Sequence, residues 1–258
     1  MVRADTITLD SPTGAALRLR RFRPGGGAAR ALVLVQHGLA EHSARYERLG
    51  LELADAGFAV FAHDHRGHGS TMAVDAPLRR FAQRGGVAKV LRDAHAVRHH
   101  AEEQHPGAAV VMLGHSMGAL VALNYARRFG DGLSGLMAWN ASAEFGWRGR
   151  AGMAALRVER ALKGSDVASA AFARATFETW SREILGRRTD ADWLTHDAAV
   201  VERYIADPLC GWTPTVSMAE DILEMVRSLD TAAELSAIPH RLPVHVLGGD
   251  EDPCTARG

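Results

Sequence analysis

Apolar residues along this chain follow two alternating rhythms. The runs TITLDS, ALRLRRFRP, LVLVQHG, FAVFAHD, AVVMLGHS, LSGLMAWNAS and LPVHVLGG are short and bounded by Gly, Pro, Asn or Asp, and they predict β-strands. LVLV is apolar at every position, as a strand buried on both faces requires. Between the strands, SARYERLGLELADAG, VAKVLRDAHAVRHHAEEQHPG, MGALVALNYARRFG and SMAEDILEMVRSLD space their apolar residues three and four apart and predict helices. The first of these gathers Tyr46, Leu49, Leu53 and Ala54 on one face and closes on Gly57. Alternation of this kind predicts an α/β fold, a mostly parallel sheet with helices on both faces and right-handed crossovers.

The rhythm breaks after about residue 143. From 144 to 214 no strand pattern appears; Arg148, Arg150, Arg157, Arg160 and Lys163 interleave with Met153, Leu156 and Leu162, and Phe172, Phe177, Trp180, Ile184, Leu185 and Trp193 follow. The expected organisation is therefore one core, residues 1–143 and 215–258, with a helical cap or lid inserted at 144–214. Such an insertion falls where ligands of open α/β sheets bind, beyond the carboxyl ends of the strands. Its apolar residues fit a lid over a ligand or, equally, a cap packed on the sheet.

Composition narrows the field. The chain has 258 residues, 47% of them hydrophobic, enough for one large α/β domain. Thirty basic residues balance thirty acidic ones, so no global field draws it to nucleic acid or anionic lipid. Two distant cysteines, Cys210 and Cys254, make neither a disulfide framework nor a four-ligand zinc site. No run approaches a membrane span and the first residues lack a signal-peptide core, so a cytoplasmic protein is the default.

The sharpest chemistry lies in VVMLGHSMGALVAL. Gly114, Ser116 and Gly118 form G-x-S-x-G between a predicted strand and helix, a turn that strains a serine and lifts its hydroxyl above the sheet as a nucleophile. The Met117 N–H, at the helix start, is one expected oxyanion donor. Elbow enzymes take a second donor from the loop after an early strand, and His37-Gly38-Leu39 is placed to supply the Leu39 N–H, with Glu41 and His42 bracing the loop. HDHRGHG crowds His63, Asp64, His65 and His68, but adjacent strand residues point to opposite faces, so it is read as a strand end and loop bordering the pocket and no metal is expected. HHAEEQH, at 99 to 105, is read as a solvated helix end.

HG-x-x-EH-x-x-RY at 37 to 46, HDHRGHGS at 63 to 70 and GHSMGA at 114 to 119 together resemble the monoacylglycerol lipase and lysophospholipase branch of the α/β-hydrolase superfamily, a group also likened to serine aminopeptidases. DWLTHDAAVVERYIADPLCG, at 192 to 211, is similar to the end of the cap in bacterial members. The resemblance implies an α/β-hydrolase fold, no cofactor, a lipid or ester substrate, and ester hydrolysis through an acyl-enzyme on Ser116. It also leaves room for transient contact of the cap with a membrane surface. Small esters and peptides stay open as substrates, and nothing sets the oligomeric state. The family pattern G-x-x-D, laid on Gly249 to Asp252, selects Asp252 over Asp250 as the triad acid. The family's histidine follows a further helix and strand, for which the residues after Asp252 leave no room. The expectation is thus a chain lacking the catalytic His and the last strand and helix, through truncation, frameshift or an incomplete gene reading. Such a chain would be impaired, or would be a non-catalytic acyl-ligand or partner-binding remnant, with the strand at 243 to 248 a bare sheet edge. His196, in the cap, is the substitute base considered; His37, His115, His240 and His245 lie elsewhere in the pattern.

Overall fold

The computed structural model describes residues 1–255. Its elements run β1 (Arg3–Asp10), β2 (Ala15–Arg23), β3 (Leu32–Gln36), α1 (Glu47–Asp55), β4 (Ala59–His63), β5 (Met72–Ala73), α2 (Gly86–Gln104), β6 (Val110–His115), α3 (Met117–Phe129) and β7 (Gly135–Trp139). Then follow α4 (Gly146–Lys163), α5 (Ala170–Ala175), α6 (Phe177–Glu183), α7 (Ala198–Ala206), α8 (Val216–Arg227), α9 (Ala232–Leu235) and β8 (Val244–Leu247). Every strand and core helix expected from periodicity is present. Two short elements escaped that reading: β5, two residues that gain order by pairing with β2, and α9. The start of α9 does carry a local signal, a capping box between Thr231 and Glu234.

The sheet order is β1-β2-β4-β3-β6-β7-β8. β1, β2 and β4 pair antiparallel, while β3 pairs in parallel with both β4 and β6, and β6-β7-β8 continue in parallel. Side chains alternate between two cores, as a period of two requires. Leu32 and Leu34 join Phe61, Met112 and Leu136 under α2, α3 and α8, where Val97, Tyr125, Met218 and Met225 are buried. Val33 and Val35 face the opposite way, with Val60, Ala62 and Leu113 against Ala54, Leu49 and Leu53 of α1. β3 and β4 are buried at every position, which is why their sequences read as unbroken apolar runs. Truncating one such residue, Leu34 to Ala, costs about 2–5 kcal/mol.

Helices α4 to α7 all fall between β7 and α8, and within that stretch an isolated bridge from Ala168 to Thr215 is the one β feature among the described residues. β8 is the outer strand on its side of the sheet, and its Val244, Val246 and Leu247 are exposed.

Candidate active site

Ser116 joins β6 to α3 at φ 55° and ψ −123°, a conformation L-residues avoid. Its N–H donates to the Trp139 carbonyl at 2.8 Å, and its carbonyl accepts from the Ala119 N–H at 2.8 Å, so both neighbouring elements hold the turn. Two close approaches explain the flanking glycines. A Cβ on Gly114 would strike the Gly118 carbonyl, and one on Gly118 would strike the carbonyls of Gln36 and His37. The Met117 N–H is among the first of α3, which the helix itself leaves without an acceptor.

The loop after β3 packs directly on this turn: a Cβ at Gly38 would lie 3.4 Å from the Ser116 Cβ. His37 is fully buried and accepts the His65 N–H on Nε2 at 2.9 Å. Its Nδ1–H therefore donates to the Gly38 carbonyl at 2.8 Å. Burial pushes the His37 imidazole down, which keeps it in this neutral form. Glu41 ties the loop shut, accepting the Gly38 N–H at 2.6 Å and the Tyr46 hydroxyl at 2.8 Å, and pairing with Arg45 at 3.0 Å. Burial alone would raise its carboxyl, but the His115 ring 3.5 Å away, then Arg45, hold it well below the usual carboxylate range. Gly38, Leu39 and Ser116 line one cavity of about 270 Å³.

Asp252 sits beyond β8. Its carboxylate accepts from Asn140 Nδ2 at 2.7 Å, the Cys254 N–H at 2.8 Å and the Thr255 hydroxyl at 3.0 Å. Asp250 is exposed, and Glu251 pairs instead with His196 Nε2 at 2.9 Å. Ser116 and Asp252 line a second cavity of about 800 Å³ together with Asn140, Trp180, Ile184, Trp193 and Leu194. His115 and His196 are the histidines on its wall. Among the described residues, no imidazole hydrogen-bonds to the Ser116 hydroxyl or the Asp252 carboxylate.

The remaining histidine-rich segment supports the loop from behind. Asp64 accepts the Ser43 N–H at 2.9 Å, the Ser43 hydroxyl at 2.5 Å and the Ser70 N–H at 2.8 Å, while the His63 and His65 rings lie 4.8 Å apart on the other side. Arg66, wholly buried, pairs with Asp93 at 2.7 Å. His42 Nε2 pairs with Asp207 at 2.8 Å, and their ligating atoms lie within 4.8 Å of Cys210 Sγ, linking the loop to the segment after α7. Sequence reasoning passed over Asn140 and the Arg66–Asp93 pair.

A profile of the family described as "Serine aminopeptidase, S33" matches residues 27–258. Human monoglyceride lipase is 38% identical over 126 residues, 46% of this chain and 37% of that protein, so the match spans little over a third of its length. The monoacylglycerol lipase of Mycolicibacterium smegmatis is 27% identical over 226 residues, 86% of this chain and 70% of its own. In three dimensions, a thermostable carboxyl esterase from Bacillus coagulans superposes with a TM-score of 0.83 at 26% identity, covering 93% of this chain and 78% of that one.

Proposed function

The chain belongs to the serine aminopeptidase S33 family, within the monoglyceride-lipase-like α/β-hydrolases, and from that membership we propose that it hydrolyses carboxylic esters at Ser116. The observation that carries this reading is the strained Ser116 turn, which opens on the same cavity as Asp252 and packs against the Gly38-Leu39 loop. In this proposal the Ser116 hydroxyl adds to the acyl carbonyl as its proton passes to a base. The Leu39 and Met117 N–H groups hold the oxyanion, the alcohol leaves with a proton, and water releases the acid from the acyl-enzyme. Asp252 is the acid that orients the base.

Residues 144–214 are the lid in this account. Trp180, Ile184, Leu185, Trp193 and Leu194 offer an apolar wall for an acyl chain. Asp192, Asp250 and Glu251 share that wall with no lysine or arginine among its described lining, which favours the uncharged headgroup of a monoacylglycerol over an anionic lysophospholipid. On α4, Trp147, Val158 and Leu162 are 70%, 59% and 78% exposed on one face, with Arg148 and Arg157 exposed beside them. Such a stripe suits shallow contact with a lipid surface. A reducing, cytoplasmic setting fits the two free thiols.

Because no described imidazole bonds to Ser116 or Asp252, we further propose that this 258-residue chain turns over slowly. Loss of the base in such a triad typically costs on the order of a million-fold in kcat. A second reading is favoured by the His196–Glu251 pair on the cavity wall: His196 would then serve as a substitute base. Hydrolysis of monoacylglycerol, lysophosphatidylcholine and short p-nitrophenyl esters, each compared with Ser116→Ala, tests the proposal. A rate that survives the substitution would refute it.

A further inference from the structure

On the side of α2 that meets α3, away from the walls of the Ser116 cavities, two imidazoles meet. His95 Nε2 and His99 Nε2 lie 3.1 Å apart, one helical turn from each other. Their rings stand at 81° with centroids 4.5 Å apart, so one ring addresses the edge of the other. We infer that this pair is a two-histidine chelate for a borderline divalent transition cation, copper(II), nickel(II) or zinc(II).

The spacing carries the inference. Two nitrogens each bound at about 2.0–2.1 Å to one cation at a near-right angle lie about 3 Å apart. That is the separation already held without a cation, so little reorganisation is needed. At present only one proton can sit between the two nitrogens, and a cation takes its place.

His95 is also oriented from behind. Its Nδ1 lies 2.9 Å from the Tyr125 hydroxyl, and its ring stacks on Phe129 at 4.3 Å and 14°. With a cation on Nε2 the imidazole proton resides on Nδ1 and donates to the Tyr125 oxygen, the kind of outer-shell bond that fixes a ligating histidine's tautomer. Arg98, on the same helix, bonds to Glu102 and to the carbonyls of Phe129 and Gly132. His99 is exposed, which leaves water free to fill the remaining positions, and Glu103 follows one turn along the same face. Imidazole nitrogen selects copper, nickel and zinc over magnesium and calcium.

The test is copper(II) titration of the full 258-residue protein by calorimetry, with electron paramagnetic resonance of the one-to-one complex. One tight equivalent is expected, its spectrum split by two imidazole nitrogens, with magnesium giving no heat. His99→Ala, an exposed site that leaves folding intact by circular dichroism, is expected to weaken copper binding at least about tenfold and to remove one nitrogen from the spectrum. His240→Ala, another exposed histidine, is expected to bind as the parent does. Unchanged affinity in His99→Ala, or a spectrum without paired imidazoles, overturns the site.

Discussion

Asn140 Nδ2 donates to Asp252 Oδ2 at 2.7 Å, joining the end of β7 to the turn beyond β8 across 112 residues of sequence. Asn140 itself has φ 52°, and its N–H donates to the Leu247 carbonyl, so one residue both ends β7 and fixes the carboxylate. Asn140→Gly keeps the backbone free to adopt this conformation and removes only the side-chain bond. The expected result is a loss of about 1.5–3 kcal/mol, at the lower end because Asp252 is half-buried, and a fall in Ser116-dependent esterase rate. Asn140→Ala adds backbone strain and is expected to lower the urea midpoint further. Equal midpoints for the parent and both variants would contradict the assignment.

Gly118 is expected to admit no side chain. A Cβ there meets the Gln36 and His37 carbonyls, backbone that cannot swing aside. Gly118→Ala should cost about 1–3 kcal/mol by overpacking and displace the Gly38-Leu39 loop from Ser116. Chemical denaturation and phosphonate labelling of Ser116 would both register it; an unaltered labelling rate would argue against contact between turn and loop.

Acid is expected to unfold this protein early. His37, His63, His65 and His68 are held neutral chiefly by burial, with His63 pushed down to about 4 and His68 to about 3 from 6.5. Above pH 6.5 neither state takes up protons at these sites. As pH falls below 6.5 the unfolded chain binds protons that the folded one refuses, and stability drops until the folded values are reached. Each such histidine removes about 1.4 kcal/mol per pH unit across that window. Urea midpoints at pH 7, 6 and 5 should decline steeply; a flat profile would show that these imidazoles are not buried neutral.

His196→Ala is expected to leave esterase turnover within about twofold of the parent, since the side chain is 88% exposed and engages Glu251 rather than Asp252. A drop of two or more orders of magnitude would instead make His196 the base.

Much of this was legible in the sequence because it rests on local patterns. The β3 and β4 runs announce buried strands, and G-x-S-x-G between strand and helix announces the turn at Ser116. Asp252 was separated from Asp250 only through a family pattern, because neighbouring carboxylates on one turn carry no local signal that distinguishes them. Asn140 gave no signal: an asparagine after a strand is ordinary, and its role appears only when a residue 112 positions away folds against it. Arg66 likewise looked like a loop residue, whereas its guanidinium is buried on Asp93 of α2. The His95–His99 approach was hidden for another reason. Residues four apart on a helix are neighbours, but only the folded chain seats the His95 ring against Tyr125 and Phe129 of α3 and brings its Nε2 to that of His99.

Timing fluorophosphonate labelling of the purified protein, and mapping the modified peptide, tests the proposed esterase site at Ser116, to which no described imidazole hydrogen-bonds. Slow labelling confined to Ser116, and abolished in Ser116→Ala, is expected. Labelling elsewhere, or prompt labelling accompanied by rapid p-nitrophenyl ester turnover, would contradict it.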